Sequence, residues 1–100
     1  MNNKILTAIK APDKPWCIGY VENTLEAFQS IVGGYIEHFA ETESGIHFFC
    51  NEEGKLLGLQ PNVITVHRDI VVGTIFAVRS DADGEFVSLT DEDFKDLFSL

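Results

Sequence analysis

Positive charge is scarce in this 100-residue chain: seven Lys and Arg stand against sixteen Asp and Glu, for a net charge of -9. That balance repels phosphate backbones and anionic lipid surfaces over about a Debye length, which disfavours direct binding to nucleic acid or to a membrane. Long apolar runs are missing too. None approaches the roughly 18 to 20 residues that span a bilayer, and MNNKILTAIKAPDK has neither the apolar stretch nor the small-residue cleavage site of a secretory leader. A cytoplasmic protein is expected. Cysteine is nearly absent: Cys17 and Cys50 each fall in an apolar, strand-like run, where buried free thiols rather than a disulfide are expected.

The motifs of common chemistries are missing as well. The glycines and serines form no GxSxG, GxGxxG or P-loop pattern. Among Cys17, Cys50, His38, His47 and His67 there is no CxxC or HxxxH spacing, and His47 and Cys50, three apart on one strand, point to opposite faces. An EF-hand loop needs glycine at position six and glutamate at twelve; DADG at Asp81 to Gly84 places glycine at position four. Cys50, between FF and NEE, sits in apolar and negative surroundings that keep a thiol protonated. The expectation is therefore a non-catalytic protein with no metal and no cofactor.

What the chain does contain is enough apolar material for one folded domain over residues 1–100: 45% of residues are hydrophobic, eight of them Phe. KILTAIK (4–10) and WCIGYV (16–21) read as strands around the proline-bearing turn APDKP. Asn23, with Glu26 three residues on, reads as the N-cap of a helix over 24–32 whose Leu25, Phe28, Ile31 and Val32 share a face, and Gly33 ends it. Strands are expected over 35–39 and 46–50.

NEEG (51–54) then reads as a three-residue hairpin loop with Gly54 at positive φ and KLLGL (55–59) as the return strand. Gln60, Pro61 and Asn62 break that pairing, and VITVHRD is open between strand and connection. IVVGTIFAVR (70–79) is the strongest strand, central, with Gly73 a bulge candidate. DADG repeats the NEEG design, and EFVSL closes a second hairpin. Thr90 and Asp93 start a last helix with Phe94, Leu97 and Phe98 as its apolar stripe. The fold class expected is α+β: a mostly antiparallel sheet of about six or seven strands with two short helices.

Binding is the function left to such a chain. Arg68 and Arg79 are the only arginines, and their planar forks suit carboxylate or phosphate. Tyr35, Asn62 and Thr74 are polar groups beside glycine or proline at strand ends, where a ligand pocket can form. A domain this small has little interior to spare, so a cleft between copies of a homo-oligomer is the expected place for one. From Asp81 onward, Asp81, Asp83, Glu85, Asp91, Glu92, Asp93 and Asp96 face only Lys95, a surface suited to a basic protein partner.

Three motifs in order, GGYIE (33–37), CNEEGKLLGLQPN (50–62) and GEFVSLTDEDF (84–94), resemble a small uncharacterised family catalogued as a domain of unknown function and found in phages, plasmids and bacteria carrying mobile elements. The resemblance implies a small accessory protein without known catalytic residues, working in the host cytoplasm if phage-encoded. Two roles follow as expectations: sequestering a small nucleotide-derived defence signal, or occupying a defence protein as an acidic, nucleic-acid-mimicking decoy.

Overall fold

The computed structural model describes residues 3–65 and 67–99. In chain order its elements are β1 (Lys4–Lys10), β2 (Cys17–Glu22), α1 (Leu25–Val32), β3 (Ile36–Glu41), β4 (His47–Asn51), β5 (Pro61–Ile64), β6 (Ile70–Val72), β7 (Ile75–Ser80), β8 (Phe86–Val87) and α2 (Asp91–Phe98). Six strands form one sheet in the order β2-β1-β7-β4-β3, with β8 on β7, while β5 and β6 form a separate two-stranded ribbon. All these pairings are antiparallel. The fold is α+β, as the patterning implies.

β7 is central because it is apolar on both faces: Phe76, Ala77 and Val78 are fully buried. Alternation sends neighbouring side chains to different cores. Phe76 and Val78 join Ile5, Phe28 and Val32 beneath α1, whereas Ala77 joins Ala8, Ile46, Leu89, Phe94 and Leu97 beneath α2. Farther along the α2 face, the β5–β6 ribbon packs its Val71 and Val63 against Cys50 and Ile75.

Local chemistry starts and stops the helices. Thr24 caps α1, its hydroxyl accepting from the Ala27 N–H, and Gly33 at φ 82° ends it. Asn23, the expected cap, lies one residue too early; its side chain donates to the Phe86 carbonyl and ties the helix entry to β8. α2 carries the expected capping box of Thr90 and Asp93. Its stripe is shorter than expected, since Phe94 and Leu97 are buried but Phe98 is 53% exposed.

Four further expectations are corrected. KLLGL is not a strand: residues 52–58 are a run of turns, Gly58 rather than Gly54 takes the positive φ, and Gly54 is buried against Val72. IVVGTIFAVR is two strands, because Gly73 at φ 78° redirects the chain from the ribbon into the sheet. Pro61 begins β5 rather than ending a pairing; the first position of a strand in an edge ribbon tolerates the missing N–H. Cys17 is exposed, on edge strand β2, whereas Cys50 is buried, and both thiols are free.

Candidate functional site

The α2 face of the sheet is covered at one end by the helix and at the other by the ribbon, and between them a groove of about 830 Å³ stays open. The sheet contributes Lys10 of β1, Phe39 to Glu41 of β3, Phe48 of β4 and Ile75 of β7. Pro15 and Trp16, from the β1–β2 connection, close one side; Leu97 and Phe98 of α2 and Val63, Ile64, Thr65, His67 and Asp69 of the ribbon and its turn form the others. Trp16 and Phe48 meet with ring centroids 6.0 Å apart, and Phe39 lies 6.1 Å from Phe48, so the groove has an aromatic lining. Its volume falls within the roughly 300–1,000 Å³ of ordinary small-molecule sites. A second hollow, about 250 Å³ between β4, the 52–56 turns and the ribbon, falls below that range.

The basic group of the groove is held in place. Lys10 Nζ donates to Asn62 Oδ1 at 2.6 Å, and Asn62 Nδ2 donates to the carbonyls of Lys10 and Gly73, each at 2.8 Å. Asn62 thereby fastens the ribbon to the end of β1 and the break after β6, and orients Lys10 at the groove. Glu41 and Asp69 are the acids beside it.

The other sequence candidates go elsewhere, and none of Tyr35, Asn62, Arg68, Thr74 and Arg79 lines either hollow. Arg79 grips Asp93 with both ends of its fork, Nε to Oδ2 at 2.6 Å and Nη2 to Oδ1 at 2.7 Å. Burial pushes the Asp93 carboxyl up, but the Arg79 bonds and the donors of Thr90 outweigh it and hold the carboxyl below its ordinary value. Arg79 therefore anchors α2 to β7. Arg68, exposed at φ 67°, donates its N–H to the Thr65 carbonyl in the ribbon turn. Tyr35 is 66% exposed, and its carbonyl accepts from Glu52 N–H. Thr74 is half-buried between β6 and β7.

Of the acids, Asp93 is buried and not on the surface, while Asp81, Asp83, Glu85, Asp91, Glu92 and Asp96 are exposed. Asp81 also organises its own turn, accepting from the N–H groups of Asp83 and Glu85. Buried Cys50 has its thiol pushed up to about 11, first by desolvation and then by the carboxylate of Glu37, so it keeps its proton at neutral pH.

On the opposite, α1 face, the β3–β4 hairpin brings together His38, Glu41 and His47, with His38 Nε2 and His47 Nδ1 3.1 Å apart. The chain belongs to a family of unknown function. The family model, Domain of unknown function (DUF3846), matches residues 6–99, which covers all three motifs that carry the resemblance. Neither a curated protein nor a solved structure matches the chain.

The groove escapes sequence reading because its residues come from widely separated segments and its apolar members look like core. The available signal was Trp16: a large side chain beside Pro15, just outside a strand, is placed to wall a cleft. The histidine cluster escapes because its spacing is cross-strand, set by pairing rather than by interval along the chain.

Proposed function

We propose that this domain is a non-catalytic binding module that sequesters a small, ring-bearing, nucleotide-derived molecule in the groove between α2 and the ribbon. The observation that carries the reading is the aromatic lining of a groove of ligand size, Trp16, Phe39 and Phe48. Stacking of a base on an aromatic side chain contributes about 1–3 kcal/mol and tolerates any base, since every base presents a π-face. The polar complement narrows the class. Among the described residues of the groove, Lys10 is the one lysine or arginine, against Glu41 and Asp69, so a nucleoside or a cyclic mononucleotide with a single negative charge suits it and a polyphosphate does not. The homo-oligomer expected from the sequence rested on a lack of interior space; the groove lies within one chain, and the proposal is made for one chain. Sequestration of a defence signal in a host cytoplasm is the biological role favoured by the setting in mobile elements that the resemblance implies.

Calorimetry and thermal denaturation against a panel of nucleosides, cyclic mononucleotides and cyclic dinucleotides test this. A true ligand at a hundred times its Kd adds about 2.7 kcal/mol to stability; a panel without effect at millimolar concentration removes the reading.

A second reading, an acidic decoy for a basic defence protein, is favoured by six exposed carboxylates between Asp81 and Asp96. Electrostatic steering makes its association steeply salt-dependent. Capture from host lysate that is unchanged between low and high salt would count against it.

A further inference from the structure

We infer that His38, Glu41 and His47 form a binding site for a divalent transition-metal ion on the β3–β4 hairpin. The site owes its existence to an irregularity in β3. Along a regular strand His38 and Glu41, three residues apart, would point to opposite faces. The register shifts between His38 and Ala40, so that Glu41 comes directly opposite His47. The extra residue reverses the alternation and returns Glu41 to the side of the two imidazoles.

The donor atoms of the three side chains lie within 4.8 Å of one another. His38 Nε2 and His47 Nδ1 are 3.1 Å apart. An ion about 2.0–2.1 Å from each nitrogen would see them at about 100°, between the tetrahedral and octahedral values. Glu41 Oε2 is 3.8 Å from His47 Nδ1, and its exposed side chain has a short way to close. Two further contacts prepare the ligands. His47 Nε2 lies 3.2 Å from Ser80 Oγ; with the proton on Nε2, that nitrogen donates to the hydroxyl and Nδ1 keeps its lone pair, the outer-sphere support that ligating imidazoles ordinarily have. The His38 ring packs edge-on against Phe49, with centroids 5.3 Å apart.

Two imidazoles and a carboxylate select ions such as Zn²⁺, Co²⁺, Ni²⁺ or Cu²⁺ over Ca²⁺ and Mg²⁺, which prefer oxygen alone. His38 and Glu41 are exposed, so an ion has direct entry and keeps coordination positions for water or for a donor from elsewhere. Glu41 also borders the groove, but the two histidines do not, and the test rests on them.

Titration of the EDTA-treated protein with Zn²⁺ alone by calorimetry, and with Co²⁺ by visible absorption, is expected to give one saturable ion per chain. His38→Ala and His47→Ala should each weaken it by about tenfold or more, and Ser80→Ala by about tenfold. Cys17→Ser, which removes the exposed thiol as a competing ligand, should leave affinity unchanged. Circular dichroism confirms that each variant is folded. Binding that survives both histidine substitutions, binding that depends on Cys17, or no saturable uptake of Zn²⁺ overturns the inference.

Discussion

The two faces of the sheet are finished differently. Under α1 the space is filled by four phenylalanines: Phe28 stacks on Phe76 at 4.8 Å, Phe49 on Phe76 at 5.1 Å, and Phe86 meets Phe28 edge-on at 5.1 Å. On the other face two smaller covers, α2 and the ribbon, stop short of each other and leave Phe98 and Ile64 53% and 70% exposed across a groove. The α1 face is closed by aromatic packing; the α2 face has a buried core of its own but leaves part of its surface open as a cleft. Binding sites are found where packing is incomplete and the surrounding elements are held rigidly.

The largest effect that separates the faces is expected at Phe28, 1% exposed under α1. Phe28→Ala should lose about 3–5 kcal/mol, a large part of the roughly 5–15 kcal/mol available to a domain, as read by urea denaturation. Next comes the anchor of the open face. Asp93→Asn removes the charge from the Arg79 pair and should cost about 2 kcal/mol. Because the folded Asp93 carboxyl titrates below its usual 3.8, its contribution is present above that pH and is lost as pH falls through the folded value. Denaturation midpoints of the parent should therefore drop in acid below about pH 4, and the Asp93→Asn variant should show a flatter fall over the same range.

Gly54→Val is expected to cost about 1–3 kcal/mol by overpacking, since its Cβ would meet Val72 Cγ2 at 2.8 Å. Phe98→Ala sharpens the comparison: half-exposed, it should cost less than about 1 kcal/mol in the same denaturation assay while weakening ligand binding by about tenfold. Smallest of all, Glu52→Ala and Glu53→Ala, both exposed turn positions, should stay within about 0.5 kcal/mol.

How far the sequence could be read is clearest at its two similar turns. DADG behaves as its residues dictate: Gly84 takes φ 83°, Asp81 caps the turn, and β8 pairs back on β7. NEEG has the same local chemistry and a different outcome. Asn51 does accept from the Glu53 N–H, but its amide also donates to the Val32 carbonyl at the end of α1, and Gly54 is pressed against Val72 of the ribbon. Those partners are distant in sequence, and they carry the chain away from a return strand. The central strand and the Thr90 capping box were legible because each is written within a few consecutive residues. Arg79 was legible as a fork, but its choice of Asp93 among many acids was not. The groove and the histidine cluster depend on where α2 stops and where β3 shifts register, neither of which leaves a mark on a local pattern.

Trp16 is the single tryptophan of the chain and lines the groove, so its fluorescence reports occupancy without a label. Titration with nucleosides and cyclic mononucleotides should produce a saturable change in Trp16 emission that Phe98→Ala moves to about tenfold higher ligand concentration without unfolding the protein. Emission that stays constant to millimolar ligand, or a change that saturates at the same concentration in Phe98→Ala, would contradict the assignment of the groove as the binding site.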